Sequence, residues 1–201
     1  MGQAIGGSLP LAIGVALSPV PIIAVVLMLT TPRARINGPA FVLGWLAGLA
    51  VVGAIVLVIA GPSNASSSGA PATWVSWLKI VLGLLLLLVA VRQFRARPHG
   101  EDQAVMPKWM GAIDNFSPPA AFGAGGALAA ANPKNLLLAV GGGAAIAQTG
   151  ISGAQQAIAF LVFAVIATIG VGAPVVIYFA MGTRSQELLT KLKTGWPSTM
   201  P

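Results

Sequence analysis

Ala131-Asn132-Pro133-Lys134-Asn135 decides how this chain folds. The pentapeptide lies inside an apolar run from Pro118 to about Gln148, where a lysine, two asparagines and a proline interrupt hydrocarbon. A lysine at the centre of a membrane helix costs about 2.5–3.5 kcal/mol on insertion scales. Proline removes a backbone donor as well. The run has 31 residues, about 46 Å of helix against a hydrocarbon core of about 30 Å. That is too long for one straight span and too short for two with a loop. A helix broken at Asn132-Pro133 fits, with its polar residues near the bilayer midplane. The half before the break is nearly all small residues (Gly123, Gly125, Gly126, Ala127, Ala129 to Ala131), and Gly141-Gly142-Gly143 loosens the half after it.

The surrounding chain is suited to a membrane. Its 201 residues are 56% hydrophobic and 7% charged, with a mean hydropathy of +0.88, whereas a soluble domain carries about 25% charged residues. The length suits five or six helices of about 20 residues. Strand-like alternation is absent, which argues against a β-barrel. The net charge of +7 comes from short loops, where it orients helices rather than binding nucleic acid. No cysteine is present, which excludes disulfides, thiolate catalysis and thiolate metal sites. The first apolar run has no Lys or Arg before it, so it reads as a retained span rather than a signal peptide.

The first span is expected from about Ser8 to Thr31. It carries Ser18-Pro19-Val20-Pro21, where two prolines withdraw two helical donors. Taken alone, a satisfied proline kink accounts for that stretch. A basic turn follows at Thr31 to Pro39, then a second span from Ala40 to Ala60, whose Gly44 and Gly48 suit close helix packing. After an uncharged loop, a third span runs from Trp74 to Val91, with Trp74 and Trp77 at the interface and Lys79 snorkelling outward. Residues 92–117 form a polar cytoplasmic linker. Its stretch Met106 to Phe116 sets Trp109, Met110, Ile113 and Phe116 at helical spacing, as in a helix lying on the membrane surface. His99 has no second ligand nearby, so no metal site is expected. Gly153 to Met181 is a fifth, overlong span, and residues 183–201 are a basic tail.

Basic and uncharged connections alternate along the chain. The positive-inside rule then places the N-terminus outside and the tail in the cytoplasm. The first and fourth spans run in opposite directions, and both carry a proline break. Pro19 and Pro133 lie 114 positions apart, an offset that also pairs Ser18 with Asn132 and Pro21 with Asn135. Both long spans open on a serine and a proline, Ser8 and Pro10 in one, Ser117 and Pro118 in the other. This pattern reads as an inverted repeat. One copy covers about 8–91 and the other about 118–182, and discontinuous helices in such repeats meet at a midplane binding site. The expected fold is therefore all-α and polytopic, an inverted-repeat bundle of five to six spans with two of them broken.

Ser18-Pro19-Val20-Pro21-Ile22-Ile23-Ala24, the turn Pro32-Arg33-Ala34-Arg35, Phe41 with Gly44-Trp45, and Ala131 to Leu136 resemble the glycolipid-addressing protein (GAP) family of the LysE-type exporter superfamily. The match covers roughly Ser18 to Gly150. The resemblance implies a small bacterial inner-membrane protein of two inverted three-helix repeats that moves cell-envelope glycolipids, or more broadly exports small metabolites. It also implies a sixth span, which does not follow Met181 in this sequence; truncation, divergence or a partner subunit would account for that.

The expected role is a transporter. Lys134 attracts an anionic lipid or small-molecule substrate. Asn132, Asn135 and Ser18 offer hydrogen bonds, and Pro19, Pro21 and Pro133 open the backbone. The bland alternative for Lys134 is a snorkelling or structural lysine. Alternatives for the whole chain are an exporter of small metabolites such as amino acids, or a non-transporting scaffold for an envelope-assembly complex. The expected partners are membrane lipids, with a homo-oligomer or an envelope-synthesis protein also open. The spans hold no Asp, Glu, His or Cys, so no catalytic residues are assigned. No GxxxxGK[ST] loop and no cofactor motif is present.

Overall fold

The computed structural model describes residues 1–60 and 113–181, together with the isolated positions 80 and 84. The expected third span, nearly all of the linker and the basic tail lie outside the described residues. Six α-helices and one 3-10 turn make up the described chain: α1 (Gly2–Ala16), α2 (Pro19–Leu29), α3 (Ala34–Ala60), the turn Ile113–Asn115, α4 (Pro118–Ala130), α5 (Pro133–Ala147) and α6 (Gly153–Met181).

Proline writes three of the six starts. Pro19, Pro118 and Pro133 each occupy the first helical position of α2, α4 and α5. There the missing amide costs nothing and the fixed φ is already helical. Proline also drives the residue before it out of the helical region. Ser18, Ser117 and Asn132 accordingly adopt extended ψ angles of 113°, 160° and 118°. α6 starts differently, on a capping box. The Ser152 amide donates to Gln155 Oε1 at 3.2 Å, and the Gln155 amide donates to Ser152 Oγ at 3.4 Å.

Three boundaries differ from expectation. α1 begins at Gly2, six residues before Ser8, because Ala4 is fully buried and extends the packed face. Ser8 lies inside α1 and donates its hydroxyl to the Ile5 carbonyl at 3.0 Å. It therefore opens no helix, unlike Ser117, and the matched Ser-Pro openings of the two long spans are not observed. α3 begins at Ala34 rather than Ala40, with Pro39 inside it. The carbonyl that Pro39 leaves without a helical donor belongs to Arg35, an exposed residue at the membrane-surface turn. Of the expected surface helix at Met106 to Phe116, the described end is a 3-10 turn whose Ile113 is buried.

α3 and α6 are each long and apolar enough to cross a membrane, and α1 with α2 makes a third crossing if the pair, bent by 52°, counts as one span. The outward faces are apolar, with Val58 80% exposed and Val176 67% exposed. A soluble protein does not present such surface over whole helices. The chain is a helical membrane protein.

Glycines set how the helices approach. A Cβ on Gly44 would overlap the Phe122 carbonyl, and one on Gly48 would crowd Gly126 and Ala129 one turn further on. α3 and α4 therefore run in the same direction with their backbones touching. Asn37 ties their starts together by donating Nδ2 to the Phe116 carbonyl at 2.8 Å. α6 runs the other way, since Gly53 meets Phe160 while Gly38 meets Val175. α1 is antiparallel to α5, with Gly141 against Leu11 and Gly14 against Leu138. Phe41, Trp45, Met28, Leu29 and Phe163 fill the core between these contacts.

Candidate functional site

The carbonyl of Ala129 would normally accept from residue 133, which is proline and has no amide. The Ala127 carbonyl takes both the Ala131 and Asn132 amides, at 2.7 and 3.2 Å, and the helix stops. Asn132 then caps α5: its Oδ1 accepts from the Lys134 amide at 3.1 Å. Asn135 reaches back across the break. Its Nδ2 donates to the Leu128 carbonyl at 3.0 Å, so one side chain clasps α4 to α5. The expected break thus falls at Asn132-Pro133, between two half-helices of 13 and 15 residues.

These bonds give the two asparagines opposite characters. Asn132 uses its oxygen for the cap and has its amide to offer. Asn135 uses one of its two amide hydrogens for the clasp and has its oxygen to offer. Asn135 is fully buried, and its Oδ1 has no partner among the described residues. Two other buried side-chain atoms share that condition, Asn37 Oδ1 and Trp45 Nε1. Lys134 is half-buried on the same turn as Asn135.

The first break has the same form. The Leu17 amide bonds to the Ile13 carbonyl at 2.9 Å and the Ser18 amide to the Val15 carbonyl at 3.1 Å, which ends α1. Pro19 then starts α2, and Pro21 falls in its first turn, where helical amides have no intrahelical partner in any case. Ser18 is buried, and its hydroxyl makes no capping bond. Pro21 is buried, whereas Pro19 and Pro133 are exposed.

α1 approaches both α5 and α6 near its C-terminal end. It pairs antiparallel with α5 through Leu11 on Gly141 and Gly14 on Leu138. α5 also meets α6, where Phe163 lies against Gly142. Gly170 itself leaves room only for the Ala16 carbonyl at the end of α1. Gly170 was not among the expected site residues. Its signal in the sequence, a glycine in an apolar helix, is common to many positions, and its partner lies more than 150 residues away.

Among the described residues no cluster of His, Cys, Asp or Glu could hold a metal ion. The arrangement offers one cation and the Asn132 amide as donors, and Asn135 Oδ1 with uncapped carbonyls as acceptors. A family model described as Sap, sulfolipid-1-addressing protein, matches residues 9–196. No curated protein and no solved structure matches the chain.

Proposed function

The chain belongs to the sulfolipid-1-addressing protein family, and from that premise we propose that it translocates an anionic cell-envelope glycolipid across the bacterial plasma membrane. The observation that carries this reading is Lys134, a half-buried cation in the first turn of α5, beside Asn132 and Asn135 at a proline break whose form recurs at Ser18-Pro19. Lys134 engages the charged headgroup, a sulfate ester or its chemical equivalent. Asn132 Nδ2 donates alongside it, Asn135 Oδ1 and the Ser18 hydroxyl serve headgroup hydroxyls, and Pro19, Pro21 and Pro133 keep the backbone open there.

The helix order supports an inverted repeat. Two half-helices followed by one long helix occur twice, as α1–α2–α3 and α4–α5–α6. The backbone contact of α3 with α4 has its counterpart in that of α6 with α1. The parallel run of α3 and α4 supports five spans: the chain leaves α3 on one side of the membrane and enters α4 on the other. Trp74 to Val91 is the apolar stretch available for the return. Arg33 and Arg35 at the α2–α3 turn favour the cytoplasm for that end, which leaves the N-terminus outside. LysE-type exporters share this repeat logic, and we place the chain beside them on that ground.

Lys134→Met tests the site. Cells carrying the variant at wild-type level should lose the glycolipid from the outer envelope and accumulate it inside. Unchanged lipid distribution would remove Lys134 from the mechanism. Purified protein in liposomes separates a transporter, which moves the lipid alone, from an assembly scaffold, which does not.

A further inference from the structure

We infer that the break between α4 and α5 also binds a hard monovalent cation, through oxygen atoms that the fold leaves without donors. The inference rests on reading the two breaks as one site. Asn135 is fully buried, and its Nδ2 is committed to the Leu128 carbonyl at 3.0 Å. That bond settles which way the amide faces, because a flipped amide would set two oxygens against each other. Oδ1 therefore faces away from α4 with nothing to accept from. A buried polar atom without a partner costs about 1–3 kcal/mol, and a bound ion is one way such a cost is offset.

The backbone adds further acceptors at the same place. The Ala129 carbonyl faces the position of Pro133, which has no amide. The Ala130 carbonyl would take the Lys134 amide, but Asn132 Oδ1 holds it. At the first break the Leu17 carbonyl faces the position of Pro21, again without an amide. With the two breaks read as one site, the C-terminal dipole ends of α1 and α4 and a neutral amide oxygen would share it. Neutral oxygens from interrupted helices are ligands for an alkali cation, as carboxylates are for a divalent one. No Asp or Glu lies on any described α-helix, which weighs against a divalent ion.

Lys134 sets the logic of such a site. Its charge, one residue from Asn135, opposes a second cation. An anionic headgroup neutralises that charge, so cation and headgroup bind better together than apart, and linkage makes the effect reciprocal. The two charges would then cross the midplane as a nearly neutral set.

The test uses the full-length protein in phosphatidylcholine nanodiscs, with no added anionic lipid. Its melting temperature is followed as sodium chloride replaces choline chloride at constant ionic strength. The wild type should show a saturable rise in sodium. Asn135→Ala should abolish the rise, and Lys134→Met should lower the half-saturating sodium severalfold. Gly123→Ala, on α4 where a Cβ meets open space, should keep the sodium response. Equal melting temperatures in the two salts would overturn the assignment, as would an unchanged response in Asn135→Ala. If Asn135→Ala fails to fold, Asn135→Asp keeps the acceptors and adds charge; its half-saturation should fall, and an unchanged value would also overturn the site. A sodium-independent protein that still requires Lys134 for lipid transfer would sink the cation site alone.

Discussion

Lys134 is flanked by two asparagines with different tasks. Asn132 and Asn135 are the same residue type three positions apart, and only the folded backbone decides which atom each one spends. Asn132 gives its oxygen to the cap, and Asn135 gives its amide to Leu128. Their variants should therefore differ. Asn132→Ala should cost about 1 kcal/mol, the usual loss of a helix N-cap, measurable as a lower melting temperature. Asn135→Leu should cost more, because the clasp to Leu128 is lost and the polar site is filled with hydrocarbon. Unfolding of both variants in the same detergent checks the order. Lys134→Met should leave stability unchanged or higher, since among the described residues the ammonium makes no bond that would be lost.

At the scale of elements, the proline-led starts of α2, α4 and α5 were legible, because proline constrains itself and the residue before it without help from the rest of the fold. The starts of α1 and α3 were not. Ser8 and Pro39 resemble helix openings locally, and both are absorbed into helices by packing further upstream, at Ala4 and Ala34. Gly44 and Gly48 were read as packing glycines, and the structure supplies their partners on α4. Gly44→Leu should force α3 from Phe122 and destabilise the protein by at least the 1–3 kcal/mol typical of overpacking. Gly123, also on α4, has open space where a Cβ would go. Gly123→Ala should be neutral or slightly stabilising in the same melt, through its higher helix propensity. Gly170→Leu should act on the first break, by pressing against the end of α1. Its expected signature is lost lipid transfer in a protein whose α3–α4 contact remains intact.

For the whole molecule, composition alone gave the membrane class, because few other environments tolerate 56% hydrophobic and 7% charged residues. Helix direction could not be read that way. It comes from pairs such as Gly44 with Phe122 and Gly53 with Phe160, which are remote in sequence. The absence of cysteine makes the proposed orientation testable, since every introduced thiol is unique. Arg35→Cys should react with a membrane-impermeant maleimide only from the cytoplasmic side, and Gln148→Cys only from outside. Labelling of both from one face would reverse the assignment of α5. The two glycine contacts carry a mechanical consequence. Backbone touching backbone has no rotamers with which to adjust, so α3 moves with α4, and α1 moves with α6. Each welded pair draws one helix from either half of the chain. Side-chain contacts remain adjustable, among them the leucine-on-glycine contact between α1 and α5, with the proline breaks beside it as pivots.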